Sequence, residues 1–75
     1  MGIPMNNLAP GGCGRVLELA ADGSMRQRLL DLGVTPGTIV QRLLESPVGD
    51  PVCYLIRGAQ IALRRADAAL IRVVI

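Results

Sequence analysis

The sequence contains no histidine, phenylalanine, tryptophan or lysine, and each absence limits what the chain can be. Without histidine, it lacks the usual general base at neutral pH and the commonest transition-metal ligand. With Tyr54 as its single aromatic residue, it cannot line the aromatic groove that polyproline-binding domains need. These absences argue against an enzyme, against a self-contained transition-metal site and against recognition of proline-rich peptides.

Long apolar runs are missing as well. The longest covers residues 52–56, far short of the roughly 20 residues that span a bilayer. The chain does not open with a charged segment followed by an apolar one, so we expect no cleaved signal peptide. A cytoplasmic location is therefore predicted.

Cysteine is scarce. Cys13 and Cys53 do not form a CxxC pair, and we expect both to be reduced and to pack as small hydrophobic residues. Cys13 stands in a glycine-rich stretch with Arg15 as the nearest charge and has no base to activate it. The carboxylates are scattered, with no pair spaced to bind magnesium. No metal, cofactor or catalytic residue is predicted.

The chain has 75 residues, of which 51% are hydrophobic and 19% charged. This composition predicts one small globular domain with a core of leucine, isoleucine, valine and alanine. We assign the domain to residues 7–75. Residues 1–6 are expected to be a flexible segment without a structural role.

All eight basic residues are arginines, and the formal net charge is +2. They are spread along the chain instead of clustering as nucleic-acid-binding surfaces usually require. The charge is therefore weak support for nucleic-acid binding.

Glycine and proline divide the chain into short segments. Ser24 is the expected N-cap of one helix and Gly33 its C-terminal stop, and residues 35–37 fit a type II turn. A single helical turn is expected at residues 65–69. Strands are predicted at residues 15–20, 38–45, 52–57, 60–64 and 70–75, with a long hairpin loop at residues 46–51.

Five short strands with one inserted helix cannot cover both faces of an open sheet. The sheet is therefore expected to curl, and a mainly β, five-stranded SH3-like barrel is the smallest common solution. In the helix, Met25, Leu29 and Leu32 form the apolar stripe, while Leu30 falls beside Arg26 on the side predicted to face water. Leu30 is therefore a candidate partner contact.

Three blocks of the sequence resemble a known family. They are Arg26-x-Arg28-Leu29-Leu30-Asp31-Leu32-Gly33-x-Thr35-Pro36-Gly37, then Ser46-Pro47-x-Gly49-Asp50-Pro51-Val52, then Arg57-Gly58 followed by Ile61-Ala62-Leu63-Arg64-Arg65. Their order and spacing resemble the ferrous iron transport protein A family, FeoA, from about residue 7 to the last residue. The resemblance implies a cytoplasmic SH3-like accessory protein of bacterial ferrous iron transport. Its implied partner is the cytoplasmic GTP-binding domain of the large membrane transporter.

Five residues are candidates for the contact with this partner: Arg26, Leu30, Ile39, Leu44 and Arg57. Ile39 and Leu44 stand where polar residues would be expected, and Arg57 is an equally good structural donor to loop carbonyls. Homo-oligomerisation through exposed aliphatic surface is compatible with this function. The alternative is a nucleic-acid-binding or ribosome-associated barrel, which only the arginine content supports.

Overall fold

The computed structural model describes residues 2–44 and 49–75, whose strands form one antiparallel sheet. The elements occur in the following order: β1 (Ile3–Pro4), a 3-10 helix (Met5–Asn7), β2 (Cys13–Leu19), α1 (Gly23–Asp31), β3 (Ile39–Arg42), β4 (Val52–Ile56), β5 (Ala59–Leu63), α2 (Arg65–Ala68) and β6 (Ile71–Val74). All five predicted strands, the inserted helix and the single turn of α2 are present. The mainly β class is confirmed.

The strands lie in the order β1-β6-β2-β3-β4-β5. The last strand therefore returns between the first two. Within residues 2–44 and 49–75, the edge strands β1 and β5 do not pair with each other, so the sheet is not closed by hydrogen bonds. This order places β2 in the interior of the sheet, with β6 on one side and β3 on the other.

The core lies on one face of this sheet and is almost wholly aliphatic. Val52, Tyr54 and Ile56 alternate along β4 and are completely buried, as their spacing predicts. Leu29 of α1 is also fully buried. Met25, Leu30 and Leu32 of the same helix are only partly buried, and they pack against the core.

The N-terminal residues belong to the fold, so the expectation that residues 1–6 have no structural role is wrong. Ile3 and Pro4 pair with Val73 and Arg72 of β6, and the side chain of Met5 is completely buried. Burying a large apolar side chain stabilises the folded state by about 1.5 to 3 kcal/mol. Residues 3–5 show no clear alternation of apolar and polar side chains, so the sequence pattern does not predict a strand there.

Helix α1 begins at Gly23, and its N-cap is Asp22, which corrects the prediction of Ser24. The first helical hydrogen bond runs from the Arg26 amide to the Asp22 carbonyl oxygen, at 3.4 Å. The Asp22 side chain makes no capping hydrogen bond within the described part of the chain. The turn begins earlier than predicted because Gly23, at φ +61°, bends the chain into the helix.

The predicted C-terminal stop of α1 is confirmed as a Schellman motif. Gly33 has φ +93°, and its amide donates to the Leu30 carbonyl oxygen at 3.0 Å. The Val34 amide donates to the Leu29 carbonyl oxygen at 3.0 Å, and both of these side chains are completely buried. The motif satisfies the last helical carbonyls and directs the chain back to the core.

The turn at residues 35–37 also forms as predicted. The Thr38 amide donates to the Thr35 carbonyl oxygen at 3.0 Å, with Gly37 at φ +93°. Strand β3 then ends at Arg42 instead of residue 45, and Leu44 beyond it is 81% exposed. Residues 46–48 of the predicted hairpin loop, and of the second sequence block, lie outside the described residues.

Candidate functional site

The side of the sheet turned away from the core carries an exposed row along β2. Cys13, Arg15 and Leu17 are exposed on this outer face, while Gly14 between them is buried. A Cβ atom on Gly14 would lie 3.0 Å from Cγ2 of Val73, which is too close for an alanine without a shift. Glycine therefore lets β2 and β6 approach and keeps the outer row in register.

Arg15 lies at the centre of this outer face. In the strand register it stands opposite Ile39 of β3 and opposite Val74 of β6. Directly opposed residues in an antiparallel sheet have Cβ atoms about 4.5 to 5.5 Å apart. Ile39 is 55% exposed and Val74 is 39% exposed, so one arginine stands between two solvent-facing aliphatic side chains.

Leu17 lies on the same outer face, two residues after Arg15, and is 44% exposed. A β-bulge begins here: Val16 pairs with Val73 and Glu18 pairs with Arg72, so that β2 advances two residues while β6 advances one. Leu17 is the extra residue. The bulge reverses the alternation beyond it, so that Glu18 is exposed and Leu19 is buried in the core.

These residues line a shallow depression of about 420 Å³, which we call the β2 groove. Among the described residues that line it, Arg15 has the only charged side chain, and this side chain has no hydrogen bond or ion pair with any residue of the described ranges. The described residues of the lining are Cys13, Gly14, Arg15, Leu17, Ile39, Val74 and Ile75.

A second depression, of about 460 Å³, adjoins the groove and shares Ile39 with it. Its charged wall is Arg57, a non-glycine residue at φ +51°. The Arg57 guanidinium donates to the Gly33 carbonyl oxygen and to the hydroxyl oxygens of Thr35 and Thr38, each at 3.2 Å. Arg57 thus holds the loop that leads into Ile39, which agrees with its interpretation as a structural donor.

Two of the other predicted contact residues take part in the packing of α1. Leu30 is half-buried against the core, so the premise that it faces water is wrong. The 100° periodicity missed this because the core contacts Leu30 as well as the residues of the predicted stripe. Arg26 is exposed, and its Nη1 donates to the Leu19 carbonyl oxygen at 3.4 Å.

The structure brings Ile39 and Arg57 to neighbouring depressions but leaves Leu44 outside both linings. Sequence reasoning missed Arg15, Leu17 and Val74 as parts of one surface. The sequence did contain a signal for the bulge at Leu17. Val16 and Leu19 are three residues apart, so both can face the core only if the strand contains an extra residue between them. The pairing of β2 with the distant β6 had no such local signal.

Both cysteines are free thiols, and Cys53 is half-buried. Cys13 is exposed, so the expectation that it packs as a small hydrophobic residue is wrong. Among residues 2–44 and 49–75, the cysteine and carboxylate side chains form no group of three or more that could hold a metal ion.

None of the helices within the described ranges is both long and apolar enough to cross a membrane.

Comparison with known proteins identifies relatives over nearly the whole chain. The Fe(2+) transport protein A/Fe(2+) transporter FeoB fusion protein of Porphyromonas gingivalis is 32% identical over 69 residues, 92% of this chain. The chain spans only 8% of the length of that curated relative. A model of the FeoA domain matches residues 3–75, which includes the N-terminal strand β1.

Solved structures share the fold. The FeoA protein of Chlorobium tepidum superposes with a TM-score of 0.89 at 33% identity, over 97% of this chain and 70% of that one. FeoA of Stenotrophomonas maltophilia, described as a procaryotic SH3 domain protein and solved in complex with zinc, gives a TM-score of 0.81 at 25% identity, over 97% of this chain and 88% of that one. The predicted SH3-like fold is thereby confirmed. Because the domain model matches all but the first two residues, this chain belongs to the FeoA domain family.

Proposed function

We propose that this protein is a cytoplasmic accessory factor of bacterial ferrous iron transport, which binds and modulates the GTP-binding region of a FeoB-type membrane transporter. The observation that carries the proposal is the Porphyromonas gingivalis fusion, in which a segment similar to this chain shares a polypeptide with the transporter. The family membership supports the same pathway.

The fusion indicates what a separate chain needs in order to perform the same task. Covalent linkage holds two domains together at an effective concentration on the order of millimolar, without any need for strong mutual affinity. A separate chain with the same task must replace the linkage by a docking surface. The β2 groove offers exposed aliphatic side chains for this purpose.

The proposal assigns no catalysis and no resident metal to this protein. Reaction chemistry would require a nucleophile with a base, a pair of acid and base groups, or a metal. The residues of the groove provide one exposed thiol, at Cys13, and one guanidinium, at Arg15. We therefore assign the transport chemistry to the transporter and a binding role to this chain.

Within this proposal, the five partner contacts predicted from the sequence remain predictions. Ile39 and Arg57 adjoin the exposed aliphatic surface, and Leu44 is a separate exposed leucine at the end of β3. Leu30 has less surface to offer because it is half-buried against the core, whereas Arg26 is exposed and makes one hydrogen bond to the Leu19 carbonyl oxygen.

A nucleic-acid-binding barrel remains the second candidate, on the strength of the arginines alone. Single-stranded nucleic acid is usually bound by aromatic stacking platforms beside a basic groove. Tyr54, the only aromatic residue, is completely buried. This composition favours a protein partner.

The test is binding of the purified chain to the isolated GTP-binding domain of the cognate transporter, by surface plasmon resonance. It is run without nucleotide, with GDP and with a GTP analogue, each with and without ferrous iron. We expect saturable binding in at least one state, with a modest salt dependence, because apolar docking is little screened. An RNA oligomer run in parallel should bind only weakly. Absence of binding in every state would refute the proposal, and steeply salt-dependent RNA binding would support the alternative.

A further inference from the structure

We infer that the β2 groove is the docking surface of this protein, and that its occupant is a segment with two or more aliphatic side chains around a carboxylate. The chemistry of this segment follows from the groove. Its assignment to the transporter rests on the proposed function.

The first argument is the distribution of exposed apolar surface. Among the described residues, five large hydrophobic side chains are exposed, and only Leu44 lies outside the groove. The other four are Leu17, Ile39, Val74 and Ile75, which come from three different strand regions. Scattered apolar residues on a surface need no explanation, but a contiguous patch indicates an interaction site.

The second argument is the position of Leu17 beside the bulge in β2. Leu17 follows Cys13 and Arg15 on the outer face, and the register shift between Val16 and Glu18 leaves it unpaired with β6. The bulge serves the fold by returning Leu19 to the core, but the Leu17 side chain stays exposed beside other exposed aliphatic residues. A bound partner would bury this leucine, which the fold itself does not.

The third argument is the charge at the centre. A partner that covered Ile39 and Val74 would also remove water from Arg15, which stands between them in the register. A desolvated guanidinium is costly unless an acceptor replaces the lost water, and a carboxylate can accept two of its hydrogen bonds. Arg57, in the adjoining depression, adds positive charge on the Ile39 side.

The same charge disfavours two other occupants. A two-fold contact between two copies through this groove would bring like charges near the axis, because Arg15 lies at its centre. Phosphates could pair with Arg15, but the lining offers no aromatic face on which a base could stack. An aliphatic, acidic protein segment fits both features of the groove.

The first arm of the test uses synthetic peptides and does not depend on the transporter. One peptide carries leucines around a central glutamate, and its matched form carries lysine in place of the glutamate. We expect the glutamate peptide to shift the methyl resonances of Leu17, Ile39 and Val74, and to bind about tenfold or more tightly than the lysine form.

A charge exchange then separates a specific contact from a structural effect. In Arg15→Glu, we expect the preference between the peptides to reverse. The matched variant Arg64→Glu makes the same change in net charge at an exposed position. The Arg64 side chain makes no hydrogen bond or ion pair within the described residues, so this variant should still prefer the glutamate peptide. Equal binding of both peptides by the wild-type chain, or the same preference in Arg15→Glu, would overturn the inference.

The second arm uses the GTP-binding domain of the transporter. Ile39→Ser and Leu17→Ser should each weaken binding about fivefold to tenfold, since a buried aliphatic contact is lost, while the melting temperature stays close to the parent value. Ala62→Ser, at an exposed position of β5 outside the groove, should bind like the parent. Leu44→Ser tests the competing surface at the end of β3, and loss of binding in that variant alone would overturn the inference.

The two arms separate failure of the groove from failure of the proposed function. If the wild-type chain binds the domain and the groove variants bind equally well, the groove assignment is wrong and the proposed function stands. If the wild-type chain does not bind the domain, the proposed function is wrong, and the peptide arm still decides the groove chemistry. Concentration-dependent dimerisation that Ile39→Ser abolishes would identify a second copy as the occupant and refute the inference.

Discussion

Arg57 donates from Nε to the carbonyl oxygen of Gly33 at 3.2 Å, and its side chain packs against that glycine. A Cβ atom on Gly33 would lie only 2.8 Å from Cδ of Arg57. The contact ties the turn after β4 to the end of α1. Because the following loop leads directly into β3, this contact also helps to fix the position of Ile39 in the groove.

We therefore predict that Gly33→Ala lowers the free energy of unfolding by about 2 to 3 kcal/mol. The residue is at φ +93°, which strains any side chain, and the new methyl group would also collide with Arg57. Urea denaturation at constant m-value is the measurement.

Gly37→Ala is the matched control for this prediction. Gly37 has the same φ of +93°, but a Cβ atom there would meet nothing within 4 Å. It should cost only the backbone strain, about 1 kcal/mol. Equal costs for the two variants would show that the contact with Arg57 adds nothing. In the background of Arg57→Ala, the difference between them should disappear.

A second prediction concerns Arg42, a buried arginine that is only 6% exposed. Its Nη1 donates to the carbonyl oxygens of Asn6 at 3.2 Å and Leu8 at 2.5 Å. Arg42→Met should lower the free energy of unfolding by about 2 to 4 kcal/mol, because buried carbonyl groups lose their donor.

Arg64→Met is the comparison for Arg42→Met. Its side chain is exposed, and the substitution removes the same charge, so we expect a change within about 0.5 kcal/mol. Thermal and urea unfolding of both variants give the measurement. If Arg42→Met were as stable as Arg64→Met, the N-terminal segment would not depend on the buried guanidinium.

Local signals in the sequence account for the parts of the fold that were predicted correctly. The turn at Thr35 to Thr38 and the stop at Gly33 are determined by residues next to each other, and both are found. The buried face of β4 follows from the alternation of Val52 and Tyr54. In each case the deciding interaction lies within a few residues.

The missed features depend on pairing between distant parts of the chain. Arg15 acquires its neighbour Val74 because β6 returns beside β2, 59 positions later in the sequence, and no local pattern encodes that placement. Leu30 is half-buried because it packs against core residues that come from other parts of the chain, in addition to the residues of the apolar stripe. Strand pairing between distant parts of the chain therefore creates the candidate site, whereas local sequence patterns determine most of the strands and turns that form it.

The last prediction tests the N-terminal segment, where the sequence-based expectation was wrong. Met5 is completely buried, so Met5→Ala should lower the free energy of unfolding by about 2 to 4 kcal/mol, the usual cost of a cavity in a core. Asn7→Ala, at an exposed position of the same 3-10 helix, should change it by less than about 0.5 kcal/mol. The segment also borders the β2 groove, since a Cβ atom on Gly2 would lie 3.2 Å from Cδ2 of Leu17. Loosening it should therefore shift the Leu17 methyl resonances in Met5→Ala, but not in Asn7→Ala. Equal stability of the two variants by urea denaturation would mean that burial of the Met5 side chain contributes no folding energy.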